Sequence, residues 1–378
     1  MRAATVLTAS GPLSPGEVVL DRGVIVEVRP ATSGAGATTH DVLAPGFVDL
    51  QMNGVGAVDV ADADNDDWED LEADLLAQGV TTWCPTVCSA PLAEMEASLG
   101  RIAAASARRP ERRPAIAGAH LEGPFLAVAG AHVPGYLRTS VDGAWLASLP
   151  PGVAVVTLAP ELPGALGAIA DLSGVGVLVA IGHSACSIDR AGEAADAGAR
   201  LVTHLGNAMG PFSQRDPGIL GAALSDDRLA VSMIADLVHI HPALVRIAFR
   251  AKGAARSVLV TDAVAIGTGT TTATGAPFEG QPPRMADGTL VGSVLRMDRA
   301  VANTVVHAGI SLADAVTAAS TTPASLLGLD DRGAIAPGRR ADLVALDADL
   351  GITTVWIAGQ EAWRSDGQGA GLTMRGRR

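Results

Sequence analysis

Cysteine, lysine and long apolar runs are what this 378-residue sequence has least of. Cys84, Cys88 and Cys186 are its only cysteines, too few for a disulfide framework in a chain of this size. Cys84 and Cys88 are spaced C-x3-C, yet no second cysteine pair follows to complete a zinc knuckle. All three read as small buried hydrophobes. No apolar stretch reaches the ~18 residues of a membrane helix, and the N-terminal segment lacks the apolar region of a secretory signal. The expectation is a soluble, cytoplasmic protein that does not engage membranes. Positive charge is also short: 27 basic side chains stand against 40 acidic ones, a net charge of −13. A general nucleic-acid binder needs a broad cationic surface to displace counterions, so nucleic acid is not an expected partner. An anionic ligand would have to be met by a few local cations.

What is present is material for a large core. Hydrophobic residues make up 48% and charged residues 18%, which excludes a disordered or fibrous chain. Both ends read as β-rich. GEVVL and VIVEVR flank Asp21-Arg22-Gly23, a hairpin signal, and GAIAPGRRADLVALD and ITTVWIAG are short β-branched runs broken by Gly and Pro. Neither end can bury a core alone, so the two are expected to pair in one small module.

The middle alternates eight apolar runs (GFVDLQ, VTTWCPT, AIAGAHLE, VAVVTLAPE, VGVLVAIGH, RLVTHLGN, LAVSMIAD, SVLVTDA) with amphipathic stretches such as Asp66–Gln78, Pro91–Ala107, Ser187–Ala197 and Pro242–Ala251. That pattern implies an α/β fold, a closed parallel (β/α)8 barrel over residues 45–329, with residues 1–44 and 330–378 forming the small β domain. A doubly wound open sheet is the second choice, weakened by the lack of a G-x-G-x-x-G.

Each apolar run ends in a polar residue: Gln51 and Asn53, Glu122, His183, His204, Asp236 with His239, and Asp262. Strand ends reach solvent, so any one of these could be polar for that reason alone. In a barrel, however, strand C-termini converge on one face, where chemistry is built. Glu122, His183 and His204 offer one carboxylate and two imidazoles, a common catalytic zinc set with a coordination position left open. A metal there would acidify a water and polarise a substrate carbonyl. Asp262 is the natural proton acceptor from such a water. No G-x-S-x-G elbow supports serine chemistry instead.

These residues lie in a series of longer stretches: APGFVDLQMNG, GAHLEGPFL, AHVPGYLR, VTLAPE, IGHS, VTHLGNAM, QRDPGILGA, IADLVH, LVTDA, GTLVGSVLRMDRAV and GAIAPGRRADLVALD. In content and order they resemble the amidohydrolase superfamily, and within it the N-acetylglucosamine-6-phosphate deacetylase family, over nearly the whole chain. The resemblance implies a metal-dependent barrel with a small β-sandwich built from both termini, metal ligands at Glu122, His183 and His204, and a catalytic aspartate at Asp262. Many amidohydrolases carry an H-x-H pair where this chain has Gln51-Met52-Asn53. Amides ligate poorly, so one divalent metal per subunit is expected, with zinc first and Fe(II), manganese or cobalt able to share the set. Lys252, the single lysine, lies in no barrel-end motif, which argues against a carboxylated lysine bridging two metals.

For substrate, the resemblance implies a phosphorylated N-acetyl amino sugar, hydrolysed at its acetamido group. Arg215 and His239 face the phosphate, Asn207 and the Ala208 backbone meet the ligand, and His132 lies close to the sugar. The GTLVGS loop, with Leu290 and Gly292, brings backbone to the ring. A homodimer is implied, with some contacts crossing between subunits. His40, His241 and His307 are expected to be structural. One departure stands out: Gly206 occupies a position where the family usually has an aromatic. That widens the pocket and keeps N-acetylgalactosamine 6-phosphate open as an alternative. Other amidohydrolase activities, such as a cyclic amidase or an N-acyl amino-acid hydrolase, and a non-catalytic barrel are the remaining rivals.

Overall fold

The computed structural model describes residues 1–31, 40–108, 111–266 and 283–365. Its centre is a ring of eight parallel strands: β1 (Phe47–Met52), β2 (Val80–Cys88), β3 (Ala119–Glu122), β4 (Val153–Leu158), β5 (Leu178–Ile181), β6 (Leu201–Val202), β7 (Ala230–Met233) and β8 (Ser257–Leu259). The ladder runs in chain order from β1 to β8. A parallel bridge between Met52 and Ala263 brings the last strand back to the first. There the Asp262 amide donates to the Gln51 carbonyl at 2.8 Å, and the Asn53 amide to the Ala263 carbonyl at 2.7 Å.

All six residues of β1 are buried, as expected for strands covered on both faces by neighbouring elements. Helices Asp67–Ala77, Leu92–Arg108, Ile188–Ala197 and Pro242–Lys252 lie between the strands where the sequence placed them. Their starts follow local chemistry. The Ser187 hydroxyl accepts the Arg190 amide, and His241 caps the next helix through the Ala243 amide, with Pro242 at the first turn. His241 is thus a helix-entry residue. His40 packs edge-on against Trp356, and His307 caps the helix Met297–Val306.

Six expected strands are shorter than their apolar runs, and two show it in different ways. AIAGAHLE divides into Ala115–Ile116 and Ala119–Glu122, and RLVTHLGN keeps strand geometry only at Leu201–Val202. In the second case the chain turns left-handed at His204, which ends the ladder.

The expected small β module is a separate sheet of eight strands drawn from both ends of the chain. Its order is Gln360–Arg364, Ile352–Ile357, Leu343–Leu346, His40–Pro45, Arg2–Thr8, Gly16–Asp21 and Val24–Pro30, with Gly11–Leu13 paired to Arg2–Thr8. Val6, Val18, Ile25, Leu43, Leu343 and Trp356 form its own core. No helix among the described residues is long and apolar enough to cross a membrane.

Candidate active site

The polar strand ends gather at the C-terminal mouth of the barrel. How the backbone delivers them is specific. His183, His204 and Asp262 stand two or three residues beyond the ends of β5, β6 and β8, with φ of 48°, 29° and 47°. Left-handed backbone is costly for residues with a Cβ. Here it ends each strand abruptly and turns the side chain across the mouth.

Glu122 Oε1 lies 3.1 Å from His204 Nε2 and 3.5 Å from His183 Nε2, and the two imidazole nitrogens are 3.0 Å apart. Ligand atoms on one tetrahedral zinc are separated by about 3.3 Å, given zinc–nitrogen distances near 2.0–2.1 Å, so the spacing suits a single small cation. Tautomers agree. His183 Nδ1 donates to the Val128 carbonyl at 2.9 Å, leaving the Nε2 lone pair facing the cluster. His204 Nδ1 is buried without a partner among the described residues; the residue's position is held instead by its backbone amide, which donates to Ser232 Oγ at 2.8 Å, and by the His183 ring standing edge-on. Burial disfavours the Glu122 carboxylate, but the two histidines outweigh it and hold its pKa well below the usual range. Conversely, burial would lower His204, yet Glu122 raises it. A buried carboxylate that attracts positive charge this strongly fits a cation held among these three side chains.

A second grouping of metal-binding atoms, Cys88, Glu122 and His132, lies beside the first. It has a different chemical character. His132 Nδ1 accepts the Ser89 backbone amide at 3.3 Å, so the ring proton sits on Nε2, 3.8 Å from Glu122 Oε2. His132 therefore presents a donor to the cleft rather than a lone pair. Burial, together with the nearby His183 charge, lowers its pKa to about 3, which keeps the ring neutral. Cys88 corrects an expectation: it is not a buried hydrophobe but a residue exposed at the end of β2 whose thiol turns inward onto Asn53 Oδ1. Burial among neighbouring groups and the charges of Glu122 and Asp262 push its thiol well above the ordinary value. Cys84 and Cys186 are buried as expected.

Asp262 has one oxygen occupied and one open. Its Oδ1 accepts Asn53 Nδ2 at 2.8 Å and Gln51 Nε2 at 3.2 Å. Oδ2 has no hydrogen-bond partner among the described residues, and the residue keeps 9% of its surface exposed. Burial and the Glu122 charge raise the carboxyl pKa to about 6, against the opposing pull of His204, His239 and the Asn53 hydrogen bond. Gln51 Nε2 also donates to Glu122 Oε1 at 2.9 Å. Both amides thus turn their N–H groups toward the carboxylates, the reverse of what a metal ligand would do. Lys252 ends a barrel helix and donates to the Asp226 carbonyl at 2.6 Å.

The remaining expected residues are distributed around this centre. The His132 ring stacks edge-on against His183 with centroids 4.6 Å apart. His239 donates through Nδ1 to Asp236 Oδ2 at 2.7 Å, leaving Nε2 for a ligand, and its charge is felt at Asp262. Asn207 follows the His204 turn, its Nδ2 donating to the His204 carbonyl at 3.1 Å, and the Ala208 carbonyl accepts the Ser184 amide at 3.1 Å. Arg215 is exposed on the loop after β6 and, among the described residues, forms no ion pair with Asp216 or any other group. Leu290 and Gly292 belong to a segment stitched to Asp262: the Ser293 amide donates to the Asp262 carbonyl at 2.8 Å. Gly292 has φ +55°, and a Cβ there would meet that same carbonyl at 2.9 Å, so only glycine lets the segment lie so close. At Gly206 a Cβ would find its nearest neighbour, Leu244, at 3.7 Å. The wall position is open.

Sequence reasoning missed three participants. Thr203 and Cys88 donate to the Gln51 and Asn53 oxygens, and Ser89 sets the His132 tautomer; Asp236, singled out only as a polar strand end, anchors His239. Ser89 acts through its backbone, so no side-chain signal existed. Cys88 could have been found: residues 84, 86 and 88 share one face of a strand, and Cys88 is the mouth end of that face.

The model of the Amidohydrolase family matches residues 42–362. An N-acetylgalactosamine-6-phosphate deacetylase of Escherichia coli O157:H7 is 36% identical over 374 residues, covering 96% of this chain and 98% of that protein. An N-acetylglucosamine-6-phosphate deacetylase of Danio rerio is 39% identical over 363 residues, covering 86% and 85%. Among solved structures, an aspartate-to-alanine mutant of N-acetyl-D-glucosamine-6-phosphate deacetylase from Mycobacterium smegmatis, in complex with N-acetyl-D-glucosamine-6-phosphate, superposes with a TM-score of 0.89 at 34% identity, covering 96% and 98%. With a mouth of one acid, two imidazoles and an aspartate on eight parallel strands, and with these relatives spanning it almost end to end, the chain belongs to the amidohydrolase family, on the branch of the N-acetylhexosamine-6-phosphate deacetylases.

Proposed function

We propose that this protein hydrolyses the acetamido group of N-acetylglucosamine 6-phosphate, releasing acetate and glucosamine 6-phosphate in amino-sugar catabolism. The observation that carries the reading is the pairing of a cation-seeking cluster, Glu122, His183 and His204, with an aspartate whose Oδ1 is held by two amides, leaving Oδ2 to move a proton. One divalent metal per subunit would be held by Glu122, His183 and His204, zinc being the first choice and Fe(II), manganese or cobalt compatible. When bound there, the metal acidifies a water and polarises the acetyl carbonyl.

The chain's own groups do the rest. Asp262 Oδ2 accepts the water's proton and returns it to the departing amine nitrogen. His132, neutral and with its proton on Nε2, donates to the acetyl oxygen as negative charge gathers there. Arg215 and His239 hold the phosphate, with Asp236 fixing the imidazole. A guanidinium fork suits phosphate oxygens. Asn207, the Ala208 backbone and the Leu290 and Gly292 segment frame the sugar. Three unpaired cysteines fit a reducing cytoplasm.

The test is acetate release from N-acetylglucosamine 6-phosphate against its unphosphorylated and galacto counterparts. Loss of the phosphate is expected to lower kcat/KM strongly. Arg215→Ala should raise KM for the phosphorylated sugar by about 10- to 100-fold, the scale of a charge-assisted hydrogen bond of about 1.5–3 kcal/mol, and leave the unphosphorylated sugar unaffected. Equal rates with and without phosphate would defeat the substrate assignment. The galacto isomer is a real second reading, because Gly206 leaves the wall open and the Escherichia coli relative carries the galactosamine name.

The protein acts as a homodimer. Val133, Tyr136, Phe212, Leu237 and Val238 are exposed apolar side chains, all on loops leaving β3, β6 and β7 at the mouth face, and a second copy would cover them. Light scattering should return twice 38.0 kDa; the monomer mass would remove this assignment.

A further inference from the structure

We infer that Thr203 and Cys88 are positioning residues for the proton transfer: each fixes one amide so that both amide nitrogens bind Asp262 Oδ1, which selects Oδ2 as the reacting oxygen. The inference rests on the reading of Asp262 as the base.

The oxygen and nitrogen ends of a side-chain amide are almost the same shape, and their neighbours decide which end points where. Gln51 is buried, and its Oε1 accepts the Thr203 hydroxyl at 2.9 Å. Its nitrogen end is thereby committed to the carboxylates, at 2.9 Å from Glu122 Oε1 and 3.2 Å from Asp262 Oδ1. Asn53 repeats the arrangement from the other side. Its Oδ1 accepts the Cys88 thiol at 3.1 Å, nearer the sulfur than the other acceptor, Glu122 Oε2 at 3.7 Å, and its Nδ2 lies 2.8 Å from Asp262 Oδ1. Two donors on different strands, Thr203 just beyond β6 and Cys88 at the end of β2, work through two amides onto one oxygen atom. A carboxylate with both lone pairs of Oδ1 engaged takes its proton at Oδ2, which accepts no hydrogen bond among the described residues.

Remove the hydroxyl, and a buried Gln51 oxygen is left without its donor. The amide then turns to find another, and the carboxylate loses one of its two anchors. A small misplacement of a reacting group lowers turnover without changing how tightly substrate binds. The thiol is the weaker donor of the pair, so the Asn53 side should matter less.

The experiment compares Thr203→Val with Thr203→Ser, and Cys88→Ala with Cys88→Ser, in the metal-loaded enzyme, with metal content and thermal midpoint measured alongside. Thr203→Val is expected to lower kcat about tenfold with KM within about twofold, and Cys88→Ala about threefold. Both serine variants keep a donor and should return to wild-type turnover, with metal content equal throughout. Wild-type kcat in Thr203→Val and Cys88→Ala would overturn the inference. So would equal damage in the valine and serine variants, or a loss of metal that accounts for the lost activity. Should Thr203→Val fail to fold, the Cys88 pair carries the test alone. Asp262→Asn separates the two levels: retained turnover there removes the base itself, whereas abolished turnover beside an unaffected Thr203→Val removes only the positioning role.

Discussion

Asp262→Asn is expected to lower kcat by about 100- to 10,000-fold, the range a positioned general base contributes, while metal content and product binding stay near wild type. The reason lies in the two oxygens. Oδ1 accepts N–H groups from Asn53 and Gln51, so an asparagine in this place keeps its oxygen there and turns its nitrogen to where Oδ2 stood. A donor then faces the water that needs an acceptor. Initial rates, elemental analysis and calorimetric titration with glucosamine 6-phosphate together check this. Turnover within about twofold of wild type would exclude Asp262 as the base.

The same aspartate sets a pH dependence. Burial and the Glu122 charge raise its carboxyl to about 6. The proton-accepting form exists above that value and is lost as pH falls through it, so kcat/KM should drop on the acid side. A cation in the adjacent cluster favours the carboxylate, which places the acid limb of the metal-loaded enzyme at or below about 6. His132 contributes no limb in that region, since it stays neutral down to about 3.

Much of this was legible in the chain. Eight apolar runs with alternating helices imply the barrel, and polar residues closing those runs mark its mouth, because parallel strands put every C-terminus on one side. Less visible was the interior of the strands. Asp49, Thr86, His120, Thr157, Thr203 and Thr261 sit within apolar runs and are all buried. They form a polar layer beneath the site: His120 bridges the Leu50 carbonyl and Thr157 Oγ1, and Thr261 donates to Asp49. Periodicity cannot announce such a layer, since each residue is satisfied by a partner distant in sequence. The left-handed turns at His183, His204 and Asp262 were equally silent, because histidine and aspartate take positive φ more often than most residues yet far less often than glycine, too weak a signal to place a turn. Cys88 misled for the opposite reason. Its type suggests burial, whereas its place at a strand end decides that it meets the cleft.

Glu122→Gln should cost the protein its metal. Glu122 Oε1 is the atom toward which His183, His204 and Gln51 all converge, and it carries the negative charge that makes a buried cation tolerable. Replacing even an outer partner of a metal site weakens affinity by about 10- to 100-fold, so loss of a direct ligand should exceed about 100-fold. Elemental analysis after dialysis against a buffered chelator reads this directly: wild type should retain about one ion per chain, the three-ligand complement of a catalytic site, and Glu122→Gln none. An independent sign comes from the metal-free protein. There Glu122 is the largest of the groups that raise His204 against the downward push of burial, and without it only the Asp262 charge and a backbone hydrogen bond oppose burial. The His204 imidazole, followed by NMR, should then titrate lower than in the unsubstituted protein. Unchanged metal content, or a His204 titration indifferent to the substitution, would mean that Glu122 does not bind the cation, and the assignment of the site would have to move to the Cys88 side of the mouth, where His132 would first have to give up its bond from the Ser89 amide.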